Sequence, residues 1–309
     1  MAPIALFTYN RPDHARRTVE ALARNEHADQ SALIIFSDGP KSAKDVSKVN
    51  AVRNYLNSVA GFRSVEIVHR SHNRGLAKSI ISGVTEICRQ YGRVIVLEDD
   101  LVTSPFFLHY MNEALRLYEN APDVISIHGY VYPVRERLPE TFFVKGTGCL
   151  GWATWQRGWE LFDSDGSSLL AQLETRGLTR EFDYDGTYPF TAMLRNQIAG
   201  KNDSWAIRWY ASAFLCDRLT LYPGRSLVSH IGNDGSGRHC RAGPEYDVTL
   251  TAEPIKVDKL PLHVDIEARA ALARCFREWP HRSSPASSAR SFSRYVRRIF
   301  SRSGAPTRT

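Results

Sequence analysis

Cysteine is scarce and unpaired in this chain. Cys88, Cys149, Cys216, Cys240 and Cys275 are odd in number, and none stands in a CxxC or Cys/His spacing of the kind that holds zinc. A disulfide framework is therefore not expected, and reduced thiols in a cytosol are. Long hydrophobic runs are missing too. No stretch approaches the roughly 20 apolar residues that cross a bilayer, and the opening MAPIALFTYNRPD lacks the basic start and apolar stretch of a secretory signal. The expectation is a cytoplasmic protein. Nor is there an internal repeat, or a Pro/Gly/Ser-rich linker before about residue 282, so a single continuous domain is expected up to that point.

An excess of one charge is largely absent as well. Lys and Arg number 40 and Asp and Glu 33, but the stretch 282–309 carries seven arginines and no acid, so the preceding residues are neutral. The basic balance belongs to a tail, and nucleic acid is not expected as a partner. In that tail Phe292, Tyr295, Val296, Ile299 and Phe300 recur at helical spacing opposite the arginines. This pattern suits a helix on an anionic membrane surface, which makes the protein a candidate peripheral one on the inner face of the plasma membrane.

What is present is an alternation of short apolar runs and longer amphipathic ones. Strands are expected at Ile4–Thr8, Leu33–Ser37, Val65–Val68 and Val94–Leu97, with helices at about 13–25, 43–59 and 75–91 between them. This βαβαβαβ order predicts an α/β fold, a mainly parallel sheet flanked by helices. A helix at about 104–119, a strand at Val124–His128, an irregular stretch over 129–165 and helices at about 168–176, 188–199 and 203–216 follow, then short strands near 218–222 and 226–229. Ligands bind such sheets beyond the carboxyl ends of the strands. There the chain places Tyr9-Asn10-Arg11, Ser37-Asp38-Gly39, the segment 69–75 and Glu98-Asp99-Asp100.

The last of these, in VIVLEDDLVTSPFF, sets three acids at the tip of the most apolar strand. Burying one uncompensated carboxylate costs several kcal/mol. A divalent cation relieves that penalty, and a row of oxygen ligands suits Mn²⁺ or Mg²⁺ with a phosphate-bearing ligand completing its shell. Thr103 or Ser104 capping the next helix, with the acids favouring its dipole, explains one acid but not three.

The segment NRGLAKSIISGVTEICRQYGRVIVLEDDL resembles family-2-type GT-A glycosyltransferases, in which an Asn-x-Gly turn opens a helix and a strand delivers a DxD-type motif. With glutamate first, EDDL resembles more closely the inverting GlcNAc transferases that act on N-linked and O-mannosyl glycans. The resemblance extends over roughly residues 3–240 and implies a GT-A type Rossmann-like fold with a nucleotide-sugar half over 1–128 and a smaller acceptor half over 129–281, followed by the tail. It implies a metal-dependent inverting transfer of GlcNAc or another hexose from a UDP-sugar to a glycan or lipid-linked acceptor in surface polysaccharide synthesis. Asp100 would be the direct metal ligand. Glu98 and Asp99 would meet ribose, donor sugar or metal-bound water, Thr8, Asn10 and Arg11 would line the nucleotide, and Asp38 would recognise uracil. Asn73 and Arg74 either serve the donor phosphate or simply open a helix.

Inverting transfer also needs a base for the acceptor hydroxyl. Asp203, in KNDSWAIRWYASAF, resembles the base-bearing helix of those enzymes, although Ser204 interrupts their Asp-Trp pair; Asp185 is the alternative, and a helix N-cap is the plain structural reading. In GTGCLGWATW, Gly151 and Trp152 resemble the loop that walls the donor sugar, with the indole offered to a pyranose. In SHIGNDGSGRHC, a glycine-rich loop, His239 is a candidate phosphate or metal contact. Two rival readings remain, a nucleotidyltransferase and a non-catalytic glycan- or nucleotide-binding homologue. The former calls for a Gly-rich triphosphate loop after the first strand, which TYNRPDH is not.

Overall fold

The computed structural model describes residues 1–234 and 247–279; His239 and the basic tail lie outside them. Strands β1 (Ile4–Thr8), β2 (Ala32–Ser37), β3 (Ser64–His69) and β4 (Arg93–Glu98) are parallel, joined by helices α1 (Pro12–Ala23), α2 (Val46–Leu56) and α3 (Leu76–Tyr91). Pro12 at the first helical position ends β1 and starts α1. Both faces of β1 are buried. Ile4 and Leu6 join a core with α1, α2 and a later helix, whereas Ala5 and Phe7 join the core under α3. That is why the strand reads as a continuous apolar run. Gly83 inside α3 has a packing reason: a Cβ there would stand 2.9 Å from the rings of Phe7 and Phe36.

Beyond β4 come β5 (Leu101–Thr103), α4 (Phe107–Leu117), β6 (Val124–His128), β7 (Thr141–Lys145) and β8 (Trp152–Trp155). Four helices follow, α5 (Gln156–Trp159), α6 (Gly166–Thr175), α7 (Thr179–Phe182) and α8 (Phe190–Ile198), and then α9 (Trp205–Leu215), β9 (Leu219–Pro223), β10 (Val228–His230) and α10 (Ile266–Glu278). The main sheet has eight strands in the order β3-β2-β1-β4-β8-β6-β9-β7. Only β8 and β7 run against the rest, so the sheet is mainly parallel, as expected. β5 and β10 form a separate antiparallel ribbon. Among the described residues no helix is long and apolar enough to cross a membrane.

The stretch 129–165, expected to be irregular, supplies two strands. β8 is the four residues WATW, inserted between β4 and β6, too short for any period to show. α10 also carries little signal, because its buried face is largely alanine: Ala268, Ala271, Leu272, Ala273 and Phe276.

Candidate active site

The order of the strands selects one crevice. From β1 the chain winds outward through β2 to β3, then returns to place β4 on the other side of β1. Between the carboxyl ends of β1 and β4 the crossovers diverge, leaving the opening where α/β sheets bind ligands. Thr8 to Arg11 and Glu98 to Asp100 both arrive there.

They are directly bonded. The Arg11 guanidinium pairs with Asp99 and with Asp100 Oδ2, the latter at 2.8 Å. The Tyr9 N–H donates to Asp99 Oδ2 at 3.2 Å, and the Thr18 hydroxyl on α1 donates to the Asp99 carbonyl at 2.8 Å. Asp99 and Asp100 are both buried. The fourth member is His230, whose Nε2 lies 3.4 Å from Asp100 Oδ2. The ribbon puts it there: His230 pairs in register with Leu101, and Ile231 N–H donates to the Asp100 carbonyl at 2.8 Å. Gly232 follows so closely that a Cβ would stand 2.4 Å from Asp100 Oδ2. Sequence reasoning passed over His230 in favour of His239; the signal available was the short apolar strand SLVSH after LTLYP.

Burial pushes the Glu98 carboxyl up to about 8, with Asp100 and Asp99 adding to it. Asp99 is also raised, because burial outweighs the Arg11 charge. For Asp100, burial works upward too, but the His230 hydrogen bond and the Arg11 charge overcome it and hold the group down at about 2. Arg11 is held above its ordinary value by Asp99 and Asp100 despite its own burial. Among the described residues the three acids share one guanidinium and one imidazole, and burial favours the protonated form of Glu98.

A divalent cation fits this donor set. Asp100 Oδ2 and His230 Nε2 converge at 3.4 Å, close to the about 3 Å between neighbouring ligands of an ion bound at about 2.1 Å. The Thr8 hydroxyl at the end of β1 is buried and finds no hydrogen-bond partner among the described residues, which leaves a polar atom for a ligand in the crevice.

The next loop has an internal task. Asp38 is buried, and its carboxylate accepts from Gly39 N–H, Arg74 N–H, Gly75 N–H and the Asn73 amide at 2.9–3.1 Å. Its oxygens are filled by the turn that opens α3, and uracil recognition would have to displace these bonds. Asn73 likewise serves the turn, through Asp38 and the Gly39 carbonyl. The Arg74 side chain is exposed beside it. Asn10 is engaged with Asp45 at 3.0 Å.

Trp152 requires a correction. Its side chain is 1% exposed and packed among Trp159, Trp205 and Trp209 at centroid distances of 5.5–6.1 Å, so it is core and cannot offer a face to a sugar. Both faces of β8 are covered, Trp152 and Trp155 falling in different cores, and α9 is buried almost all round, with Trp205 and Trp209 one turn apart. Gly151 is a turn residue at φ 66° whose carbonyl accepts from Gly129 N–H at 2.7 Å; a Cβ there would meet Val228 at 2.7 Å.

The same stacking locates Asp203. Trp205 at the start of α9 lies on Trp152, which is paired with Val96 and His128 near the carboxyl ends of β4 and β6. Asp203 precedes Trp205 by two residues, just ahead of α9. It is not the N-cap: Ser204 is, its hydroxyl accepting from Ile207 N–H at 3.2 Å. Asp203 is instead held by the buried Arg208 at 3.3 Å with its own side chain 67% exposed. Asp185, the alternative base, stands at φ 59° in an ion pair with Arg269 of α10 at 2.6 Å, its side chain 51% exposed.

No protein-family model matches the chain, and no curated protein does. Among solved structures, Staphylococcus aureus TarS is similar over 75% of this chain and 37% of its own, at 10% identity and a TM-score of 0.40. A mannosyltransferase from Pyrobaculum calidifontis, in complex with GDP-Man and Mn²⁺, is similar over 70% of each chain at 12% identity and 0.40. Mouse xyloside xylosyltransferase 1 is similar over 76% of this chain and 99% of its own at 12% identity and 0.36.

Proposed function

We propose that this chain is a metal-dependent, inverting GT-A glycosyltransferase that moves a hexose, GlcNAc in the first instance, from a UDP-sugar to a glycan or lipid-linked acceptor in surface polysaccharide synthesis. The observation that carries the reading is the buried cluster of Arg11, Asp99, Asp100 and His230 in the crevice between β1 and β4. A structural ion pair would not need three adjacent acids there, and burying two of them, Asp99 and Asp100, beside a third on one guanidinium is costly.

Asp100 and His230 are the ligands offered to Mn²⁺ or Mg²⁺; the mixed O and N pair favours Mn²⁺, whereas Mg²⁺ would be held through Asp100 and oxygen donors. When bound, that ion stabilises the charge on the departing nucleoside diphosphate. Glu98 and Asp99 border the same position, within reach of ribose or bound water. Arg11 changes partners from the acids to the diphosphate as the donor enters, and Thr8 and Asn10 border the nucleotide. Asp38 and Asn73 hold the turn that presents Arg74 to phosphate.

Asp203 accepts the proton of the acceptor hydroxyl as it attacks the anomeric carbon from the face opposite the leaving group. Arg208 keeps that carboxylate oriented, and its exposure lets an acceptor reach it. Titration calorimetry with UDP in the presence and absence of Mn²⁺ tests the reading. Metal-enhanced binding is expected; equal binding in both conditions overturns it. A hydrolysis screen across nucleotide sugars then identifies the donor.

A further inference from the structure

Among the described residues a second set of metal-ligating side chains lies outside the crevice, where the connection after α1 crosses the start of α4. That crossing is pinned. The Asn25 amide donates to the Ala21 carbonyl and to Thr103 Oγ1 and accepts from Leu108 N–H, and Glu26 N–H donates to the Pro105 carbonyl at 2.9 Å. The next residue, His27, takes a left-handed backbone at φ 70°, which brings its ring parallel to that of His109 at a centroid distance of 5.5 Å and 15°.

The inner ring atoms converge. His27 Nε2 is 3.4 Å from His109 Nδ1, Glu26 Oε2 is 3.6 Å from the same nitrogen, and one ligand atom from each of the three residues falls within 4.8 Å of the others. Donor atoms bound tetrahedrally at about 2.1 Å are themselves about 3.4 Å apart. The outer nitrogens are engaged by other groups: Glu113 lies 3.5 Å from His109 Nε2, and the Gln30 amide lies 3.3 Å from His27 Nδ1. Carboxylates stand on both sides of the His109 ring, Glu113 at Nε2 and Glu26 at Nδ1; in the tautomer with the Nε2 proton toward Glu113, Nδ1 presents its lone pair to His27 and Glu26. Gln30 Nε2 donates to His27 Nδ1, so His27 Nε2 carries a proton toward His109 Nδ1 that a bound metal ion displaces. Once that proton is displaced, His27 Nε2, His109 Nδ1 and the Glu26 carboxylate are three donors within 4.8 Å of one another, and Glu113 lies beside the outer nitrogen of His109 as groups that orient metal-bound histidine do.

We infer that Glu26, His27 and His109 form a second cation site, for Zn²⁺ or a similar transition-metal ion, separate from the Asp100 centre. The site ties the α1–β2 connection to α4 and does not depend on the activity proposed above. It is tested on the full chain with Zn²⁺ alone, by competition against a chromogenic chelator. One equivalent is expected to survive Asp100→Asn and to weaken at least a hundredfold in His27→Gln and in His109→Gln. Glu113→Gln is expected to weaken it about tenfold to a hundredfold. Unchanged stoichiometry and affinity in both histidine variants overturn the site. Long-range ¹H–¹⁵N spectra of the unaltered chain give a readout independent of any variant's folding: Zn²⁺ must shift the ring nitrogens of His27 and His109, and stationary signals overturn the inference.

Discussion

Asp100 and Asp203 divide the proposed labour between binding and chemistry, and single substitutions separate the two. Asp100→Asn is expected to abolish the metal dependence of UDP binding in calorimetry; retention of it refutes the ligand assignment. Asp203→Asn is expected to keep donor affinity while transfer falls about 10²- to 10⁴-fold, the usual worth of a positioned base, and near-normal turnover moves the role elsewhere. His128 makes a different kind of claim. Its buried Nε2 accepts the Leu150 N–H at 3.1 Å, and burial holds the imidazole down at about 3, against about 6.5 when unfolded. Below pH 6.5 the unfolded chain therefore binds the proton and the folded chain does not. Stability is present above that pH and lost as pH falls toward 3, with a slope of up to about 1.4 kcal/mol per unit from this residue. Urea titrations at pH 7, 5.5 and 4.5 are expected to show the loss, and a shallower loss in His128→Gln. An identical slope in the variant refutes the assignment.

At the scale of elements, two short connections decide what reaches the crevice. The turn that opens α3 hangs on Asp38, so Asp38→Ala strands at least three backbone donors. It is expected to lower stability by about 2 kcal/mol or more, measured by denaturant unfolding. A residue that only recognised a base would leave that midpoint unchanged. The β5–β10 ribbon brings His230 and Gly232 against Asp100, and Gly232→Ala leaves no space for its methyl group. Loss of metal-dependent UDP binding with an intact fold is the expected result, seen by calorimetry beside circular dichroism.

Over the whole molecule, the nucleotide and acceptor halves read from the sequence are one sheet. β8 from the second half separates β4 from β6 of the first, so residues 1–128 alone would lack the strand that joins their own β6 to β4. Trp152 sits at that seam in a cluster of four tryptophans. Trp152→Ala is expected to cost about 3–5 kcal/mol and to unfold both halves in one transition, and two separate transitions in calorimetric scanning would refute a single cooperative sheet.

The parallel strands β1 to β4, their intervening helices and the acidic loop were legible in the chain itself, because short, largely apolar segments of four or five residues and helical periods are local patterns. The convergence of Arg11 with Asp99 and Asp100 followed in outline from βαβ handedness. The inward turn of Trp152, the filling of Asp38 by its own turn and the arrival of His230 did not. Each depends on pairings between segments 35 to about 130 residues apart, made by strands of three or four residues or by side chains bonding backbone, and no local period records such partners. Local pattern set the strands and which residues stand at their tips; tertiary packing decided which of those tips face a ligand and which face one another.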